Sequence, residues 1–166
     1  IPSANGTTPL MVATGVGIFI PGEDGGSLPG QEPEVLEAVR MCLALGADVN
    51  AVNDRRETAL HGAAFRGVNA LVDLLAREGA RLDATTVEGW TPLAIANGLS
   101  YSDFYKSQAH TADRLRGLMR ARWLDTTGHS IDPSVCLDCF QTRPDQVREA
   151  RLRDERMALE LATGHR

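Results

Sequence analysis

The sequence predicts an all-α fold: a solenoid of helix–turn–helix units joined by hairpin-like loops, with an extra helix at the C-terminus. Three observations carry this. The triplets Thr8-Pro9-Leu10, Thr58-Ala59-Leu60 and Thr91-Pro92-Leu93 align, each followed by an alanine at Ala13, Ala63 and Ala96, and the last two lie 33 residues apart. Gly46-Ala47-Asp48-Val49-Asn50-Ala51 returns as Gly79-Ala80-Arg81-Leu82-Asp83-Ala84 with the same period of 33. Between these signatures, residues 55–84 hold two apolar helical faces, each closed by a glycine. Self-similarity at such a period marks stacked repeats, in which one unit cannot bury its own apolar face.

The middle unit shows the elements most fully. Thr58 stands where a side-chain oxygen can accept from backbone N–H groups left unpaired in a helical first turn. Leu60, Ala63 and Ala64 then form a face of mostly small residues that lets the helix approach its neighbours, and Gly67 ends it. Leu71, Val72, Leu74 and Leu75 form the apolar stripe of a second helix, stopped by Gly79. Burying those four side chains stabilises by roughly 6–12 kcal/mol at most, on transfer energies referred to an extended chain. Cys42 aligns with Leu75 and reads as a core side chain, not a reactive thiol.

The pattern G-x-T-P-L-x-x-A-A-x-x-G followed by x-V-x-L-L-x-x-G-A-x-x-N-A resembles the ankyrin repeat, over about residues 5–122. His61 stands at the histidine of the T-P-L-H motif, while Met11 and Ala94 occupy that place in the flanking units. The resemblance implies three units, about 5–54, 55–86 and 87–122, within an array spanning 1–122. More narrowly, "GWTPLAIANG" followed by an aromatic loop and "HTADRLRGLM" resembles arrays of environmental bacteria, which are often exported. That likeness favours an extracytoplasmic location, periplasmic or exported, over the cytoplasm.

Two insertions interrupt the period. Thr8 to Thr58 spans 50 residues, 17 more than one repeat, with the excess in residues 17–33, where five glycines and three prolines oppose regular structure. Residues 98–110 add a second loop at the equivalent place, and its Tyr101, Phe104 and Tyr105 favour packing over full exposure. Residues 123–143 form a linker, and 144–166 an exposed helix with the apolar stripe Val147, Ala150, Met157 and Leu161. The chain starts at Ile1 inside what reads as a repeat hairpin, so upstream sequence and further repeats or assembly subunits at this open unit are expected.

Composition and charge narrow the function classes. Aromatic residues make up 5% of the chain, which suits a core of Leu, Ala and Val. The longest apolar run, Leu10 to Ile20, is interrupted by Gly15 and Gly17 and too short to span a bilayer. Residues 1–54 carry Arg40 against seven acidic side chains, net −6, and residues 55–166 carry +1, together the chain's −5. An acidic first third opposes nucleic-acid binding, which draws its affinity from clustered Lys and Arg.

The only constellation with chemistry is Cys136-x-x-Cys139. Phe140 occupies the place where a c-type haem site needs histidine. A zinc site could use both thiolates and His129, one ligand short of four; a local disulfide and a pair of free thiols are the other readings, and redox catalysis lacks the βαβ context it needs. No cofactor other than that zinc is expected. With no phosphate loop, nucleophile elbow or paired carboxylates, the chain reads as a non-enzyme. The resemblance implies a protein-binding or scaffolding module whose exposed variable positions are Asp54, Arg55, Glu57, Phe65, Arg66, Val87, Glu88 and Trp90. The alternative is a structural subunit of a larger assembly, with the CxxC as a disulfide or metal clip.

Overall fold

A computed structural model describes residues 2–17, 32–98 and 108–127. Six helices follow in order: α1 (Pro9–Thr14), α2 (Glu32–Ala44), α3 (Ala59–Arg66), α4 (Asn69–Arg77), α5 (Pro92–Ala96) and α6 (Ala109–Ala121). No strand occurs among the described residues. The helices pair as α1/α2, α3/α4 and α5/α6, and the pairs stack: α3 packs on α1 and α5, and α4 on α2 and α6. The result is a two-layered all-α solenoid of three units.

Each first helix begins at the repeated threonine. Thr8 Oγ1 accepts the Met11 N–H at 3.2 Å and Thr91 Oγ1 the Ala94 N–H at 3.1 Å, with Pro9 and Pro92 in the first turn, where the missing N–H costs nothing. The second helices end alike. The N–H groups of Ala47, Ala80 and Leu124 reach back to the carbonyls of Cys42, Leu75 and Met119 at 3.0, 2.9 and 3.0 Å. This closure needs a residue at positive φ, filled by Gly46, Gly79 and, in the last unit, Trp123 at φ 59°.

The core is the predicted one. Leu60, Ala63, Ala64, Leu71, Val72, Leu74 and Leu75 are all buried. Cys42 is only partly buried and packs at the edge of that core. Two boundaries differ from expectation. Glu32 and Pro33, assigned to the first insertion, form the start of α2, because Pro33 sits in a first turn that needs no N–H from it. Ala109 and His110, assigned to the second, form the start of α6. Thr111 is a buried residue inside α6, its hydroxyl donating to Asn69 Oδ1 on α4 at 2.8 Å. The greater part of both insertions, including Tyr101, Phe104 and Tyr105, and the tail with His129, Cys136, Cys139 and the 144–166 segment lie outside the described residues.

Candidate functional site

The turns that precede the first helices form a ladder along one side of the array. Each is closed by a backbone bond across four residues: Ser3 N–H to Thr7 O, Asn53 N–H to Glu57 O and Thr86 N–H to Trp90 O, at 2.9, 3.2 and 3.0 Å. Successive tips are tied together by Asp54 N–H donating to Asn5 O and Val87 N–H to Arg55 O, both at 3.0 Å. The penultimate turn position has positive φ, at Gly6, Arg56 and Gly89 (77°, 59° and 83°). Arg56 thus adopts the positive-φ backbone of its glycine counterparts.

Polar side chains reinforce this ladder. Asn53, buried, accepts on Oδ1 from the N–H groups of Arg55 and Glu57 at 3.0 and 2.9 Å, and donates from Nδ2 to Glu57 Oε2 at 2.6 Å and Thr7 Oγ1 at 3.2 Å. Arg55 Nη2 bonds Glu88 Oε1 at 2.9 Å, and its Nε lies 3.9 Å from Glu57 Oε1. Burial pushes the Glu88 carboxyl up, but hydrogen bonding from Thr86, its own backbone and Arg55, with the Arg55 charge, holds it below the usual carboxylate range.

His61 sits directly behind the ladder, fully buried. Its Nδ1 accepts the Thr58 N–H at 3.0 Å, with Thr58 Oγ1 2.9 Å away. Its Nε2 lies 3.1 Å from the Trp90 carbonyl in the next unit. An N–H can only donate and a carbonyl can only accept, so the ring is neutral with its proton on Nε2. Desolvation lowers its pKa, against weaker raising influences from the Trp90 and Ala84 carbonyls, Glu57 and Glu88. His61 both caps its own helix and bonds across the unit interface.

The sequence-predicted binding residues separate into groups. Asp54 and Val87 are exposed at the tips, while Arg55 and Glu88 are partly exposed and joined to each other. Arg66 is half-buried: its Nη1 donates to Ala13 O at the end of α1 at 3.0 Å, and desolvation pulls its pKa below the ordinary arginine value. Glu57, Phe65 and Trp90 contradict the expectation of exposure. Trp90 is 1% exposed and Phe65 and Glu57 5% each, because both rings belong to the hydrophobic core and Glu57 is held by Asn53. Sequence reasoning missed Asn53, although Ser3, Asn53 and Thr86 recur at the start of each turn as small polar residues. It also missed Asn50, which bridges to the next unit through Gly79 O at 3.1 Å and Arg81 N–H at 2.9 Å.

Among the described residues no group of three or more His, Cys, Asp or Glu side chains could hold a metal ion, and no helix is long and apolar enough to cross a membrane. The zinc or disulfide candidates Cys136, Cys139 and His129 are not among them.

Comparison with known proteins gives a consistent likeness. Residues 32–106 match the family model described as ankyrin repeats (3 copies). Ankyrin repeat and SOCS box protein 16 of mouse and its human counterpart are each 38% identical over 72 residues, 43% of this chain and 16% of the relative. The chain thus spans a small part of the curated relatives it matches. The crystal structure of the human ASB11 ankyrin repeat domain aligns with 67% of this chain and 39% of that one, at 26% identity and a TM-score of 0.48. The curated relatives are of mouse and human, and the narrower bacterial likeness stays an expectation.

Proposed function

We propose that this chain, an ankyrin-repeat protein whose residues 32–106 carry the family's signature, binds a protein partner along the tip ladder and does no chemistry of its own. Ankyrin repeats are in general protein–protein interaction modules. The observation that supports a tip interface here is the backbone tie between successive turns, Asn5 to Asp54 and Arg55 to Val87. It sets exposed side chains from separate units at fixed spacing, so little ordering entropy remains to be lost on binding.

Asp54 and Val87 are the residues proposed to touch the partner. Arg55 and Glu88 hold the spacing between tips and keep part of their surface for the rim. Phe65, Trp90 and Glu57 act through packing and hydrogen bonding.

The test places a photo-crosslinking side chain at Val87 and, separately, at Arg77, which is exposed on α4 in the outer layer. Protein adducts formed in source cells from position 87 and absent from position 77 are the expected result, lost when Asp54→Lys is added. Adducts only from position 77 would place recognition on the outer helices.

A further inference from the structure

Three arginines among the described residues are partly buried, Arg55, Arg66 and Arg116, and every other arginine among them is exposed. Taking a cation out of water costs free energy that an opposite charge at close range offsets. Two of the three have such a partner. Arg55 Nη2 bonds Glu88 Oε1 at 2.9 Å, and Arg116 Nη1 bonds Asp113 Oδ1 at 2.7 Å while its Nη2 donates to Asn97 Oδ1 at 2.6 Å. Arg66 meets no carboxylate among the described residues. Its Nη1 donates to the Ala13 carbonyl at 3.0 Å, and its buried Nε–H has no acceptor. Desolvation lowers its pKa, and no ion pair among the described residues opposes this.

Local structure carries Arg66 past the ends of the neighbouring first helices. The left-handed glycine stands seven residues after the capping threonine in the first and third units, at Gly15 after Thr8 and Gly98 after Thr91, and nine after it in the middle unit, at Gly67 after Thr58. Helix α3 accordingly has eight residues against six in α1 and five in α5. Its last two are Phe65, in the core, and Arg66. The Arg66 stem lies on Gly15, where an added Cβ would stand 2.7 Å from its Cδ and 2.8 Å from its Cγ. From the other side Gln108 packs on Gly67 and donates to Phe65 O at 3.3 Å. The guanidinium is therefore held before anything binds, and little rotamer freedom is left to lose.

We infer that Arg66, through its Nη2 edge, receives the side-chain carboxylate of an aspartate or glutamate on the protein partner. The inference goes beyond the tip ladder and rests on that reading for the existence of a partner. A guanidinium presents a planar fork of N–H donors that matches a carboxylate, and the pair gains strength where water is partly excluded. The eight residues of α3 place the carboxylate roughly 12 Å along the helix from the tips that carry Asp54 and Val87.

The test follows the Arg66 Nε–Hε magnetic resonance signal in the isotope-labelled full chain, assigned by its loss in Arg66→Lys, as sodium acetate is added against sodium chloride of equal ionic strength. A saturable shift with acetate is expected, absent with chloride and absent at Arg77, which is exposed. No saturable shift, or the same shift with chloride or at Arg77, would overturn the proposal. So would a shift that inorganic phosphate produces at lower concentration than acetate, which would assign the site to a phosphorylated partner. In source cells, adducts from the photo-crosslinking side chain at Val87 should fall about tenfold or more in Arg66→Gln and less in Arg66→Lys, which keeps the charge but not the fork. Undiminished adducts in Arg66→Gln would sink the carboxylate site and leave the tip interface standing. An absence of Val87 adducts in the parent chain would instead count against the tip interface. Arg66→Gln also loses the bond to Ala13 O, so its thermal melt is compared with the parent's; if it falls, the acetate titration on the parent chain decides alone.

Discussion

At the scale of single residues, His61 joins local and long-range structure. Its neutral ring is required by both partners at once, since a proton on Nδ1 would displace the Thr58 N–H. Its folded pKa lies below the unfolded value of about 6.5, so between those two pH values the unfolded chain binds a proton that the folded chain excludes. The sign follows: this stability is fully present above about pH 6.5 and is lost as pH falls through the depressed folded pKa. Denaturant titrations from pH 7.5 to 5 should show it declining in the parent chain and much less in His61→Gln; equal pH dependence would show that His61 takes up no extra proton on unfolding. Arg56 and Trp123 are a second residue-scale case, both exposed and both at φ 59°. Left-handed backbone costs an L-residue about 1–2 kcal/mol, partly offset by the greater freedom of glycine in the unfolded chain. Arg56→Gly and Trp123→Gly should each stabilise by roughly 0.5 kcal/mol in thermal melts. A loss of stability at position 123 would show that the indole makes a contact the backbone pays to keep.

At the scale of elements, α4 carries the strongest apolar stripe, with Leu71, Val72 and Leu75 fully buried and Leu74 nearly so. Leu75→Ala should destabilise by about 2–5 kcal/mol through the cavity it leaves, and a melting temperature equal to the parent's would deny that the stripe packs between units. The short helices depend on their neighbours still more. α5 has five residues and α1 six, lengths with no stability of their own in water. Arg66 reaches the end of α1, and from the unit after it Gln108 donates to Phe65 O at the end of α3 at 3.3 Å, so helix C-termini are closed from the next unit.

At the scale of the whole molecule, the main helix packing among the described residues is that of a one-dimensional stack, each unit against its neighbours. Breaking one interface should therefore uncouple a part and leave the rest folded. Gly62→Val would force a side chain into Val16 and so separate the first unit from the second. In a Trp123→Phe background, leaving Trp90 as the only tryptophan, part of the helical circular dichroism is expected to melt early while Trp90 fluorescence reports burial to higher temperature. Coincident transitions by the two probes would show that the array folds as one cooperative unit.

The sequence by itself determined the repeat, its period of 33 and the core of the middle unit, because threonine caps, closing glycines and helical apolar spacing act locally and leave their mark residue by residue. Tertiary structure alone decided which tip residues face outward. Trp90 and Phe65 have the chemistry of exposed anchors, yet both lie buried in the hydrophobic core. Arg55, Glu57 and Glu88 read as independent surface charges until Asn53 and the tie between tips bring them into one network. The same holds along the second helices: Met41 and Leu74 each lie five residues before a closing glycine, Gly46 and Gly79, yet Leu74 is buried and Met41 exposed.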